Sequence, residues 1–133
     1  MEDAIPMRHA ALAVALLLPA GAIAAEPLPF EGRWAYDLES CSVQPGESDM
    51  VPTIIADGRI DYYESSCTID SVEPIGSGNG SAWTVKLSCG GEGETWSSES
   101  IFAVEDMGDE TRPRQWVDID LASGFVIVRR ACD

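Results

Sequence analysis

The stretch Trp83–Cys89, WTVKLSC, alternates residue by residue. Trp83, Val85, Leu87 and Cys89 fall on one side, and Thr84, Lys86 and Ser88 on the other, which is the period-two pattern of a strand with one buried face. Outward from this strand, the chain beyond residue 25 has no long 3.6-residue period. Gly, Ser, Thr and Asp interrupt it about every 8–12 residues, the spacing of all-β folds. The spacing predicts strands over Gly32–Asp37, Val51–Ala56, Arg59–Glu64, Cys67–Val72, Trp83–Cys89, Glu94–Val104, Gln115–Leu121 and Phe125–Arg130. Asp57-Gly58 suits a two-residue hairpin turn, because glycine takes positive φ without steric cost. In the last hairpin Val117, Ile119 and Leu121 face one way, with Asp118 and Asp120 opposite.

So many short strands joined by hairpins form an antiparallel meander. A meander hides its edges best by closing, so the expected fold is a seven- or eight-stranded barrel, with a two-sheet sandwich as the alternative. Residues 26–133 form this single domain. Ahead of it, Met7–Ala25 places Arg8 and His9 before an apolar run and then small residues, the order of a secretory signal peptide. The apolar run Ala10–Leu18 is shorter than the roughly 20 residues that span a bilayer, so no stable membrane anchor is expected. Residues 1–25 are thus read as the leader; the acidic Glu2 and Asp3 suit a leader poorly and make Met7 the better start.

All four cysteines, Cys41, Cys67, Cys89 and Cys132, lie in the domain. An even count in an exported chain implies two disulfides, and the absence of any C-x-x-C pair argues against a zinc ribbon or a thioredoxin-type site. The preferred pairing is Cys41–Cys67 with Cys89–Cys132. Its close rival is Cys67–Cys89 with Cys41–Cys132, which follows if a hairpin centred near Gly78 sets Cys67 almost opposite Cys89. The compartment implied is the periplasm or the exterior.

Removing Glu2, Asp3 and Arg8 from the 23 acidic and 8 basic residues takes the net charge from −15 to −14. Such a field repels phosphate backbones and anionic membranes, so nucleic acid is not an expected partner; a basic protein is. The only histidine, His9, lies in the leader. The domain therefore lacks Ser-His-Asp and Cys-His machinery, histidine metal sites and imidazole acid–base chemistry, and no catalytic residue, cofactor or metal is assigned. Glu92 and Glu94 in CGGEGETW lie beside Trp96, but a glycosidase pair needs carboxylates on separate elements of a deep cleft. The default reading is a Gly-rich hairpin turn with solvated glutamates, and surface recognition is the functional alternative for these two residues. Asp106, Asp109 and Glu110 do not match a calcium loop, which supplies about six to eight oxygens.

Gly32-x-Trp34 on the first strand, with Arg129 and Arg130 near the end of the last, resembles the pattern of the lipocalins and their calycin relatives. The resemblance implies barrel closure, with Trp34 at the floor and one of the two arginines packed over its indole. It touches the two ends of the domain only. With Gly91-Glu92-Gly93-Glu94 and the closing Arg130 and Cys132, the layout also resembles small secreted bacterial β-barrel proteins of an uncharacterised family. A small apolar ligand held in or at the mouth of a barrel would meet Trp34, Trp83, Tyr62 and Trp96. The alternative is an acidic interaction module, similar in architecture to periplasmic inhibitors of lysozyme, a basic enzyme. Either reading is of a monomer with a non-catalytic binding role.

Overall fold

The computed structural model describes residues 26–78, 80–106, 108–109 and 111–133; the expected leader lies outside the described residues. Eight strands appear: β1 Gly32–Ala35, β2 Thr53–Ala56, β3 Arg59–Tyr62, β4 Ser65–Pro74, β5 Ala82–Gly91, β6 Glu94–Glu105, β7 Gln115–Asp120 and β8 Val126–Ala131. Each coincides with an expected strand to within a few residues. They pair antiparallel in chain order, and β8 returns to β1, so the sheet is a closed barrel and not a sandwich. A short 3-10 turn, Glu39–Ser42, interrupts the long β1–β2 connection.

Local chemistry explains the turns. Asp57-Gly58 and Glu92-Gly93 each have two consecutive residues at positive φ, the geometry that matches the twist of a tight hairpin. Gly32 lies at φ 144°, a conformation that residues with a Cβ rarely adopt, so this glycine is required by the backbone. A single irregularity between Ile69 and Ser71 in β4 leaves Asp70 out of the ladder, which bends the strand and sharpens its twist.

The interior is packed with side chains. Phe30, Trp34, Phe102 and Trp116 are fully buried with Ile55, Ile60 and Val85. The aromatic rings meet edge to face: Phe30 with Trp83 at 5.6 Å and with Phe102 at 5.2 Å, Phe102 with Trp116 at 5.0 Å, and Trp34 with Trp116 at 6.0 Å. Such offset pairs add about 0.5–1.5 kcal/mol each beyond the area they bury. The Trp34 indole N–H donates to the Phe30 carbonyl at 2.9 Å, which ties the N-terminal segment across the floor.

The disulfides are Cys41–Cys132 and Cys67–Cys89, the rival pairing and not the preferred one. Register decides this. Cys67 and Cys89 are direct cross-strand partners on β4 and β5, with Cα atoms 4.0 Å apart. Cys41 is brought to Cys132 because β1 and β8 are the closing neighbours. The arginine expectation also changes: the guanidinium over Trp34 belongs to Arg114, 5.3 Å from the ring centroid. Arg129 covers Trp116 instead, and Arg130 donates from Nη1 to the Tyr36 carbonyl at 3.0 Å. The reason is strand alternation, since Arg129 points inward on β8 and Arg130 outward.

The bridges close loops of very different length, 91 and 22 residues of separation. Loop-closure entropy then predicts that replacing Cys41 and Cys132 with Ala costs about 4–5 kcal/mol, against about 3 kcal/mol for Cys67 and Cys89. Urea denaturation of the two double variants checks the order; a larger loss for the Cys67/Cys89 variant would contradict it.

Candidate binding sites

The inward-facing residues of β7 are Trp116, Asp118 and Asp120, because Trp116 is buried and side chains alternate. Across the ladder Trp116 faces Arg129, and Asp118 faces Ile127 and Phe102. The end of the barrel beyond the aromatic floor is therefore lined by polar groups. Arg129 is only 4 % exposed, and its guanidinium lies 4.7 Å from the Trp116 ring, 5.1 Å from Tyr36 and 5.5 Å from Tyr62. Cation–π attraction of about 0.5–2 kcal/mol per contact offsets part of its desolvation. Hydrogen bonding leaves the balance incomplete. Among the described residues Arg129 Nε and Nη1, Trp116 Nε1 and Asp118 Oδ1 are buried without a partner.

Burial raises the pKa of Asp118, against the opposing pull of the Ser100 hydroxyl and the Arg129 charge. Burial likewise pushes the Tyr62 phenol upward, helped by Asp118. Asp120 behaves differently. Its Oδ1 accepts from the Ser123 N–H at 2.7 Å, the Ser123 hydroxyl at 2.9 Å and the Ala122 N–H at 2.9 Å, and the Ser123 bonds lead in holding its carboxyl below the usual range. It caps the β7–β8 turn. A cleft of about 320 Å³ reaches Arg129 from outside, walled by Tyr36, Thr53, Tyr62, Tyr63 and Asp49.

The four aromatic residues expected to meet a ligand are not brought together. Trp34 is fully buried in the floor and Trp83 packs against the Phe30 edge of the same cluster. Tyr62 lies in the polar end beside Arg129. Trp96 is 44 % exposed and lines two open clefts. One of these, about 260 Å³, does gather Glu92, Glu94 and Trp96, with Tyr63 and Glu64. Glu92 occupies the turn, so the two glutamates reach the cleft without sharing a strand face. Glu64 holds the Tyr63 phenol pKa above its ordinary value.

Alternation puts Val117, Ile119, Val126 and Val128 on the outside. Their register forms two apolar rows, Ala103–Val117–Val128 and Ile101–Ile119–Val126. Val126 is 55 % exposed and Phe125, in the adjoining turn, 74 %. A solvated barrel face ordinarily carries polar residues. The alternating pattern is legible in the sequence, but the side presented to water is not.

Among the described residues no cluster of His, Cys, Asp and Glu could hold a metal ion, and no helix is long and apolar enough to cross a membrane. Compared with known protein families, curated proteins and solved structures, the chain shows no significant match.

Asp118 supplies a pH test. A carboxyl whose folded pKa is raised favours folding while it is protonated, and that contribution is lost as pH rises through the folded pKa. Asp118→Asn should therefore stabilise the barrel at pH 7 and lose its advantage below about pH 4, where the unfolded-state carboxyl is itself protonated. Thermal unfolding of both proteins across about pH 3–7 checks this; an unchanged difference at every pH would assign the effect to packing.

Proposed function

We propose that this chain is an exported, non-catalytic binding protein, periplasmic or secreted, that recognises a basic protein through the outer face of β6, β7 and β8. The observation that carries the reading is the pair of apolar rows turned to water, bordered by the exposed Phe125 and Leu121. Contiguous apolar surface rimmed by polar groups marks interaction sites on small soluble proteins. The net charge of −15 for the whole chain would steer a cationic partner toward the domain before the apolar face makes contact. The two disulfides fit an oxidising compartment. The filled interior favours surface recognition over a ligand enclosed in the barrel.

A second reading, a small apolar ligand at the barrel mouth, has one observation in its favour. Trp96, Leu87 and Leu121 share an open cleft of about 650 Å³. Tryptophan emission on titration with an apolar fluorophore tests it, and a Trp96→Ala variant that responds unchanged would rule it out.

For the protein-recognition reading, lysozyme is the basic probe. Binding should weaken with salt, and Val128→Lys should reduce affinity about tenfold or more, since it removes an apolar contact and adds a like charge. As an exposed substitution it should shift stability by no more than about 0.5 kcal/mol. Absence of binding at both low and high salt would reject a lysozyme-like target. A concentration-dependent dimer in sedimentation, lost in Val128→Lys, would assign the face to a second copy.

A further inference from the structure

The buried guanidinium of Arg129 has no assigned purpose in protein recognition by the outer face. It is 4 % exposed, lies against three aromatic rings, and leaves two of its nitrogens unpaired among the described residues. An unpaired buried charge is costly, and proteins ordinarily satisfy it with an anion or a hydrogen-bond network. Here the imbalance has a direction. Three buried donors, Arg129 Nε, Arg129 Nη1 and Trp116 Nε1, stand against one buried unpaired acceptor, Asp118 Oδ1. The cleft that reaches Arg129 is also walled by Thr53, Tyr36 and Tyr62, each of which carries a hydroxyl.

We infer that this cleft is a binding site for a carboxylate group, received by Arg129 and presented either by a small free acid or by the C-terminal end of a peptide. The two unpaired Arg129 nitrogens at the cleft call for an oxyanion, and guanidinium–carboxylate bonds are among the strongest that a buried arginine makes. The surrounding charge narrows the class. Asp49 in the wall and Asp118, on β7 opposite Ile127 and so one inward position from the Arg129 pairing, oppose a doubly charged phosphate more than a singly charged carboxylate. Aromatic walls suit the planar group and its short apolar stem. The cleft, of about 320 Å³, is at the small end of ligand sites, so the occupant is a small acid or one terminal residue.

The test is a titration followed by nuclear magnetic resonance, reading the Arg129 side-chain Nε–H and the Trp116 indole N–H. Acetate should shift both saturably, and neutral acetamide should shift neither. A tripeptide with a free C-terminus that binds more tightly than acetate, while its amide does not bind, would assign the peptide source; equal affinity for acetate and the tripeptide would assign the free acid. Arg129→Met should weaken acetate binding by at least about tenfold. Should that variant fail to fold, Asp118→Asn decides, because it retains the guanidinium and removes the competing carboxylate; acetate binding should tighten several-fold. Equal responses to acetate and acetamide, a preference for inorganic phosphate, or acetate binding that Asp118→Asn leaves unchanged would each overturn the assignment. A wild-type protein that gives no saturable response would overturn it too, and would mean that only water fills the cleft.

Discussion

The seam between β1 and β8 is the constraint on which the rest of the structure depends. It is short, with Trp34 opposite Ala131 and Ala35 opposite Arg130. Groups on either side reinforce it. The Cys132 N–H donates to the Arg33 carbonyl at 2.9 Å, the Arg33 side chain to the Cys41 carbonyl at 2.9 Å, and Cys41 is bonded to Cys132. A small sheet left open here would expose two edges and the aromatic floor together. With the seam closed, Trp34 drops into contact with Trp116, and the floor closes over Phe30.

Closure also divides the interior into two chemistries. The end near Phe30 is filled by aromatic rings, so little room remains there for a guest, as expected of a narrow eight-stranded barrel. The opposite end holds Arg129, Asp118, Tyr62 and Ser100, and its hydrogen bonding is incomplete among the described residues. The incompletely paired polar groups therefore lie at one mouth, and the exposed apolar rows on the outer sheet face. On the proposed readings the acidic surface would act on both in opposite senses: it would draw a basic protein toward the outer rows and disfavour multiply charged anions at Arg129.

Much of the fold is legible in local sequence. Asp57-Gly58, the alternation of Trp83–Cys89 and the spacing of turn residues locate the strands, because hairpin geometry is a short-range property. The candidate sites are less legible. Trp34, Trp83, Tyr62 and Trp96 share an aromatic character, yet they occupy the floor, the polar end beside Arg129 and the open clefts that Trp96 lines. Arg114 over Trp34 escapes a sequence reading because it lies outside the predicted strands, and no local pattern links residues so far apart. Arg129 stands out in the sequence only as a closure residue. Its unpaired nitrogens depend on what strand alternation places around it, and no linear motif encodes that.

The sequence by itself determined an all-β domain of seven or eight strands and its acidity, since these follow from composition and from periods of a few residues. Only the tertiary structure decided the disulfide partners, because pairing requires Cα atoms within reach across a particular register. Only it decided which side of β7 and β8 meets water. Both sides of that hairpin carry apolar residues, and the inner one won by fitting Trp116 into the aromatic floor while Arg129 stacked on its ring. That packing turned Asp118 and Arg129 inward and left Val117, Ile119, Val126 and Val128 on the outer face.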